Sequence, residues 1–386
     1  MFPENLVFSI AWQHSLEDKW DNLDEYKDDK RFKIIDFNAS DSKGACWARN
    51  ALQQNYDGEE YTLQLDSHHR FVKHWDHILI LMYENLVKKG FPKPLITGYI
   101  PSFDAENDPQ GRVHVPWKMN FDKFIPEGAV FFLPAAIENF EQLKEPIRAR
   151  FYSAHFAFTT GLFVKEVPHD PQYYFHGEEI SVGVRAWTHG YDLFHPHIVI
   201  AWHEYTRKGR TKQWDDDSSW HLKNTQSHLR NRKLFGMDNL PRDIDFGIYD
   251  FGKVRTLEQY ERFAGISFKK RSTQRYTLDN KLPPNPVLSD TDYENSFTQK
   301  FTYTIEISRD KFTESDYDFW AVIFEDEIGH VLNREDVTQP QTKTLLNASG
   351  PIRIARTFDT EKRPVRWVVW PHSVSKGWLQ KIEVKL

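Results

Sequence analysis

The feature that most restricts the fold is an alternation of short apolar runs and helical stretches over the first ninety residues. Residues 6–11 read as a strand reaching a tip at Trp12-Gln13-His14, and residues 32–37 as a second strand. Residues 44–54 read as a helix, and 61–65 as a short strand that ends at Asp66. Beyond it Phe71, Trp75, Ile78, Leu79, Met82 and Leu86 recur at helical spacing, with Gly90 as a stop. Strand, helix, strand, helix is the rhythm of a sheet sandwiched between helices. Ligands of such sheets bind outside the carboxyl ends of the strands, where Gln13 and Asp66 fall.

Further along, strands are expected at 129–133 and 151–158. The turn His176-Gly177-Glu178-Glu179 leads into a helix through Trp187, closed by Gly190. Residues 193–202 read as one more strand, delivering His203 and Glu204 at its end. Residues 204–245 are polar, a surface loop followed by a helix. From Arg271 to Asn295 the chain is rich in turn residues, with Pro283, Pro284 and Pro286 close together. The last ninety or so residues alternate short strand patterns with turn signals, the pattern of a small β-sandwich. The expected organisation is an α/β domain over 1–272, a linker over 273–294 and an all-β sandwich over 295–386.

Composition narrows the partners. The formal net charge is −6, with both signs interspersed and no basic run, so nucleic acid is not an expected partner. Cys46 is the one cysteine, which excludes an internal disulfide and a Cys-rich zinc module. Glu4 stands where a signal peptide would carry positive charge. The apolar run HILILM is far too short to span a bilayer. A cytoplasmic protein without a membrane span is expected.

The segment LDSHHRF carries the chemistry. Asp66 and His68 lie two residues apart at a strand end, so both can turn toward one cation. A carboxylate suits manganese or magnesium, and an imidazole shifts the preference toward manganese or another transition metal. A cation there would bridge two phosphates and neutralise the charge of a departing diphosphate. Most isolated Asp–His pairs are solvated surface groups, so the flanking sequence must carry the assignment.

That flanking sequence does. Tyr61 through Phe71, with Trp75-Asp76 after it and Gly44-Ala45-Cys46-Trp47-Ala48-Arg49 before it, resembles the polypeptide GlcNAc-transferases that modify hydroxyproline. These are GT-A glycosyltransferases related to the mucin-type polypeptide GalNAc-transferases. The stretch His176-Gly177-Glu178-Glu179, Arg185-Ala186-Trp187 and Ala201-Trp202-His203 is similar to the related pattern of a Gly-Glu turn, helix, Arg-x-Trp, strand and His. The resemblance runs from about residue 6 to 268 and leaves the C-terminal ninety residues uncovered.

The resemblance implies a GT-A, Rossmann-like nucleotide-sugar domain and a retaining transfer of N-acetylglucosamine from UDP-GlcNAc to a hydroxyl of a polypeptide or glycan acceptor. It implies Asp66, His68 and His203 as ligands of Mn2+ or another divalent cation, with Ser67 beside them. Arg49 and Arg207 are implied as phosphate or nucleotide contacts, and Ala11 and Gln13 as lining the uridine. Gly161, in Thr160-Gly161-Leu162-Phe163, is implied beside the donor sugar. Glu178 is implied as the catalytic carboxylate near the sugar hydroxyls and the acceptor. This chain departs from the pattern at His69, which doubles the histidine, and at His176, where the relatives carry a small residue. The segment before Ser9 is too short for a membrane stem, which favours the cytoplasmic branch.

Other residues read as structural. His195 and His197 flank Pro196 and are expected as satisfied histidines, and Asp215-Asp216-Asp217 as a solvated loop. Trp367, Trp370 and Trp378 are expected in the sandwich core, and Cys46 as a packed small residue. The same residues allow two rival functions. A metal-dependent phosphoesterase would use Asp66, His68 and His69, and a non-enzymatic carbohydrate-binding protein would use the aromatic C-terminal domain.

Overall fold

The computed structural model describes residues 3–15, 22–206, 217 and 219–386. The chain divides into two compact units. The first comprises Met1–Arg271 with Tyr276–Val287, and the second Ser272–Arg275 with Leu288–Leu386. Residues 273–294, expected as a linker, are thus shared between them.

In the first unit the strands include β1 (Phe8–His14), β2 (Phe32–Asn38), β3 (Tyr61–Leu65), β4 (His69–Phe71), β5 (Pro94–Thr97), β6 (Trp117–Phe124), β7 (Val130–Ala136), β8 (Ile147–Arg148), β9 (Phe156–Thr160), β10 (Asp192–His195) and β11 (Ala201–His203). The helices include α1 (Ala45–Gln53), α2 (Trp75–Lys88), α3 (Phe163–Glu166), α4 (Glu178–Thr188), α5 (Trp220–Phe235) and α6 (Leu257–Ala264). A five-stranded sheet in the order β3-β9-β5-β10-β8 carries the unit, and the fold is α/β as expected. One core lies around α4, α6 and the β6–β7 hairpin, with Tyr152, Val184, Tyr260 and Phe268 fully buried. A second lies between α2 and the sheet, built on Leu79, Ile96, Phe156 and Phe194.

Three expectations need correction. β1 and β2 do not join the main sheet; they pair in parallel with each other, Ala11 opposite Ile35 and Gln13 opposite Phe37. The run 193–202 is two strands rather than one. It breaks after His195 at Pro196, which has no N–H to offer a ladder. The strand expected from 151 begins only at Phe156. Before it, the amide of Ser153 donates to the Thr97 hydroxyl (2.9 Å) and that of Ala154 to Glu179 Oε1 (3.0 Å). Those N–H groups are satisfied by side chains, so no strand partner is needed there.

The second unit is a two-layer β-sandwich with its own core. Strands Gln299–Ile307 and Ile352–Thr360 pair over their whole lengths. Tyr317–Glu325 pairs with Val331–Arg334 on one side and Arg366–Ser373 on the other. Ile305, Ile354 and Phe358 of the first layer meet Trp320, Val322, Phe324 and Val369 of the second. Of the three tryptophans expected inside, Trp367 is in this core. Trp370 lies on the opposite face, its ring tilted against that of an exposed Trp378. Strand alternation accounts for that split, since residues 367 and 370 point to opposite faces. No described helix is long and apolar enough to cross a membrane.

Candidate active site

The site grows from the end of β3. Asp66 follows it directly, and the chain turns through an exposed Ser67 and His68 into β4. β4 pairs antiparallel with β11, which sets His203 opposite His69. The His203 amide also donates to the Pro101 carbonyl (2.9 Å), so the residue is held from both sides. Asp66, His68 and His203 each present a ligand atom, and all three atoms lie within 4.8 Å of one another. Nε2 of His203 is 3.5 Å, and Nε2 of His68 3.9 Å, from Asp66 Oδ2.

α1 closes a second side. Its first amide, that of Ala45, donates to the Tyr174 carbonyl (3.1 Å), and Gly44 has φ +105°. A Cβ at Gly44 would collide with that carbonyl, and its backbone region is essentially open only to glycine. This contact carries α1 to the start of α4, so Cys46 and Arg49, one helical turn apart, both reach Glu178. Arg49 Nη1 donates to both oxygens of Glu178 (2.8 Å each), and Nη2 to Asp66 Oδ1 (2.8 Å). The Cys46 thiol donates to Glu178 Oε2 (2.6 Å). Gly44→Ala should therefore cost about 1–3 kcal/mol in backbone strain alone. It should also loosen the Arg49–Glu178 pair; a melting curve unchanged from wild type would contradict this.

The electrostatics favour a cation. Burial works to raise the Asp66 carboxyl, but His203 and Arg49 overcome it and hold it well below the usual carboxylate range. Burial and the neighbouring His203 push His69 down to about 4 and keep His155 neutral as well. An ionised carboxylate at Asp66 is the protonation state a metal requires of that ligand. Neither ring nitrogen of the buried His203 has a hydrogen-bond partner, and a metal would satisfy that lone pair. The residues therefore fit a divalent cation.

A cavity of about 410 Å³ opens beside this cluster. Arg49, Asp66, His155, His203 and Tyr205 line one part, and Phe131, Phe132 and Pro134 of β7 another. His176, Gly177, Glu178 and Glu179, at the start of α4, complete the wall.

Of the residues named from sequence, Arg49, Asp66, His68, His203 and Glu178 come together. Arg49 is engaged by two carboxylates. Ala11, Gln13 and Ser67 do not line the cavity. Gly161 is misplaced by the sequence reading. β9 runs antiparallel to β3, with Thr160 opposite Tyr61, so Gly161 lies at the end of the sheet opposite Asp66. There it lets the chain pass the Glu59 carbonyl, where a Cβ would collide. Arg207, Asp215 and Asp216 lie outside the described residues. His195 is structural: it is buried, with Nδ1 2.7 Å from the Thr97 carbonyl oxygen and the Met119 amide donating to Nε2 (3.3 Å). Sequence reasoning missed Tyr99, His155, Glu179 and Tyr205. The same strand direction that removes Gly161 would have brought His155 forward.

Residues 11–270 match the family model described as glycosyltransferase (GlcNAc). The chain belongs to this glycosyltransferase family. The match covers Asp66, His68, Glu178 and His203 and ends before the sandwich. Among curated proteins no sequence matches the chain. Of solved structures, one of GalNAc-T7 with UDP, GalNAc and Mn2+ aligns at 15% identity and a TM-score of 0.39. The alignment covers 62% of this chain and 46% of that one, so the chain spans less than half of that protein.

Proposed function

We propose that this glycosyltransferase moves N-acetylglucosamine from UDP-GlcNAc to a hydroxyl of a polypeptide, as do the hydroxyproline-modifying enzymes it resembles. The observation that carries this reading is the convergence of Asp66, His68 and His203 within 4.8 Å at the edge of the cavity. These three residues would hold Mn2+, whose chemistry is to neutralise charge developing on a diphosphate leaving group. Arg49 helps to keep Asp66 ionised and fixes it relative to Glu178. Arg207 remains a phosphate contact of this reading. Attack occurs on the face the diphosphate leaves: the bond from the anomeric carbon to phosphate breaks as the bond to the acceptor oxygen forms. The acceptor proton passes to the departing phosphate oxygen, and configuration is retained. The sandwich is then an accessory unit, and a cytoplasmic location belongs to the same reading.

A donor panel in a UDP-release assay with manganese tests it. UDP-GlcNAc should be turned over faster than UDP-glucose, because a pocket built around the acetamido group leaves polar groups unpaired when that group is missing, costing about 1–3 kcal/mol. Equal turnover of GDP-mannose would sink the uridine assignment.

A further inference from the structure

Next to Glu178 the cavity wall carries a second carboxylate, and its surroundings are different. Glu178 is committed to the frame, accepting two bonds from Arg49 and one from Cys46. Glu179 has one donor on each oxygen: the Ala154 amide on Oε1 (3.0 Å) and the Tyr99 hydroxyl on Oε2 (3.0 Å). A carboxylate has about four acceptor positions, so two are left, and the side chain lines the cavity. Its two donors come from separate elements, the segment after β5 and the segment leading into β9. Their placement over-determines where the carboxylate sits. The Tyr99 ring stacks on His155 (5.2 Å), which stacks on His203 (4.4 Å). Glu179 is thus linked by two rings to the Asp66–His68–His203 cluster, across the space the transferred group would fill.

Resting on the transferase reading above, we propose that Glu179 touches the substrate: its carboxylate accepts a hydrogen bond from a hydroxyl of the donor sugar or the acceptor and fixes its orientation for transfer. Adjacent residues at one helix start then divide the work. Glu178 locks the frame through Arg49, and Glu179 reads the ligand.

Protonation gives this role a signature. Burial first, then the neighbouring Glu178, push the Glu179 carboxyl up to about 7, against the Ala154 and Tyr99 bonds that favour the charged form. The ionisable groups facing it are Glu178 on α4, Arg49 on α1, and Tyr99, Tyr152 and Tyr205. The accepting form is the charged one, so kcat/KM should rise as pH rises through about 7.

Glu179→Gln keeps an oxygen for the Ala154 amide and an N–H for Tyr99, so the fold should persist. It should lower kcat/KM about 10- to 100-fold, leave UDP affinity unchanged, and remove the acid limb. Tyr99→Phe deletes a donor to the charged form and should move that limb to higher pH. Donor hydrolysis without acceptor separates the two sources of the hydroxyl: loss there assigns it to the sugar, and loss in transfer alone to the acceptor. A Glu179→Gln enzyme with wild-type kcat, KM and pH profile overturns the proposal and leaves the transferase reading standing. Wild-type protein that releases no UDP from any UDP-sugar with manganese overturns that reading as well.

Discussion

His203→Ala is expected to reduce manganese-dependent turnover by about two to three orders of magnitude while the protein still folds. The ring is buried, it packs against His155, His68 and Tyr205, and neither nitrogen makes a hydrogen bond. Its removal opens a small gap and takes one polar neighbour from Asp66, which Arg49 still holds. What is lost is a ligand for the charge that neutralises the leaving diphosphate, a contribution of several kcal/mol at about 1.4 kcal/mol per tenfold. Asp66→Asn should do at least as much harm, because it removes the site's anionic ligand and frees one arm of Arg49. His68→Ala should be milder. That ring is partly exposed and farther from Asp66 Oδ2, so water can take its place at the cation. Calorimetry of manganese with UDP should show the same order of losses as the rates. If His203→Ala binds manganese and turns over donor like wild type, the ligand assignment is wrong.

The clustering of Asp66, His68 and His203 was legible because one part of it is local and the rest follows from a family resemblance. A carboxylate and an imidazole at i and i+2 directly after an apolar strand are visible in LDSHH itself. The long-range geometry was not legible. His203 reaches the site only because β11 pairs with β4, some 130 residues earlier in the chain. Strand direction was the decisive unknown. Gly161 and His155 lie at opposite ends of the same strand region, and periodicity alone does not say which end faces Asp66. Glu179 was passed over for Glu178 because sequence showed two adjacent acids at a helix start. Only the fold shows that one is ion-paired and the other is held by a tyrosine and an amide. The sandwich was read correctly as a class from alternation, but the same alternation turned Trp370 to the face opposite the core in which all three tryptophans were expected.

Arg49→Ala is the substitution expected to hurt stability most among the site residues. The guanidinium is only 11% exposed and bonds Glu178, whose side chain is 8% exposed, and Asp66, at 29%. Burial works against the Arg49 charge, and the two carboxylates more than offset it, so the group stays charged. Removing one member of a buried pair strands the other, at a cost of about 3–5 kcal/mol. Because Asp66 is partly hydrated, the lower end of that range applies. For a unit of this size, roughly 2–4 °C per kcal/mol predicts a drop in melting temperature of about 6–12 °C. The mechanism makes a sharper claim than the size of the loss. If the penalty comes from an uncompensated Glu178 carboxylate, then Glu178→Gln added to Arg49→Ala should restore part of the stability, although the second change alone is destabilising. Transfer activity should not return, since Asp66 has still lost its anchor. Thermal melts of the two single variants and the double variant, with UDP-release rates on the same samples, decide the matter. Strictly additive losses would mean that Arg49 stabilises the fold by packing its aliphatic stem, and that the charge bridge from Glu178 to Asp66 contributes little.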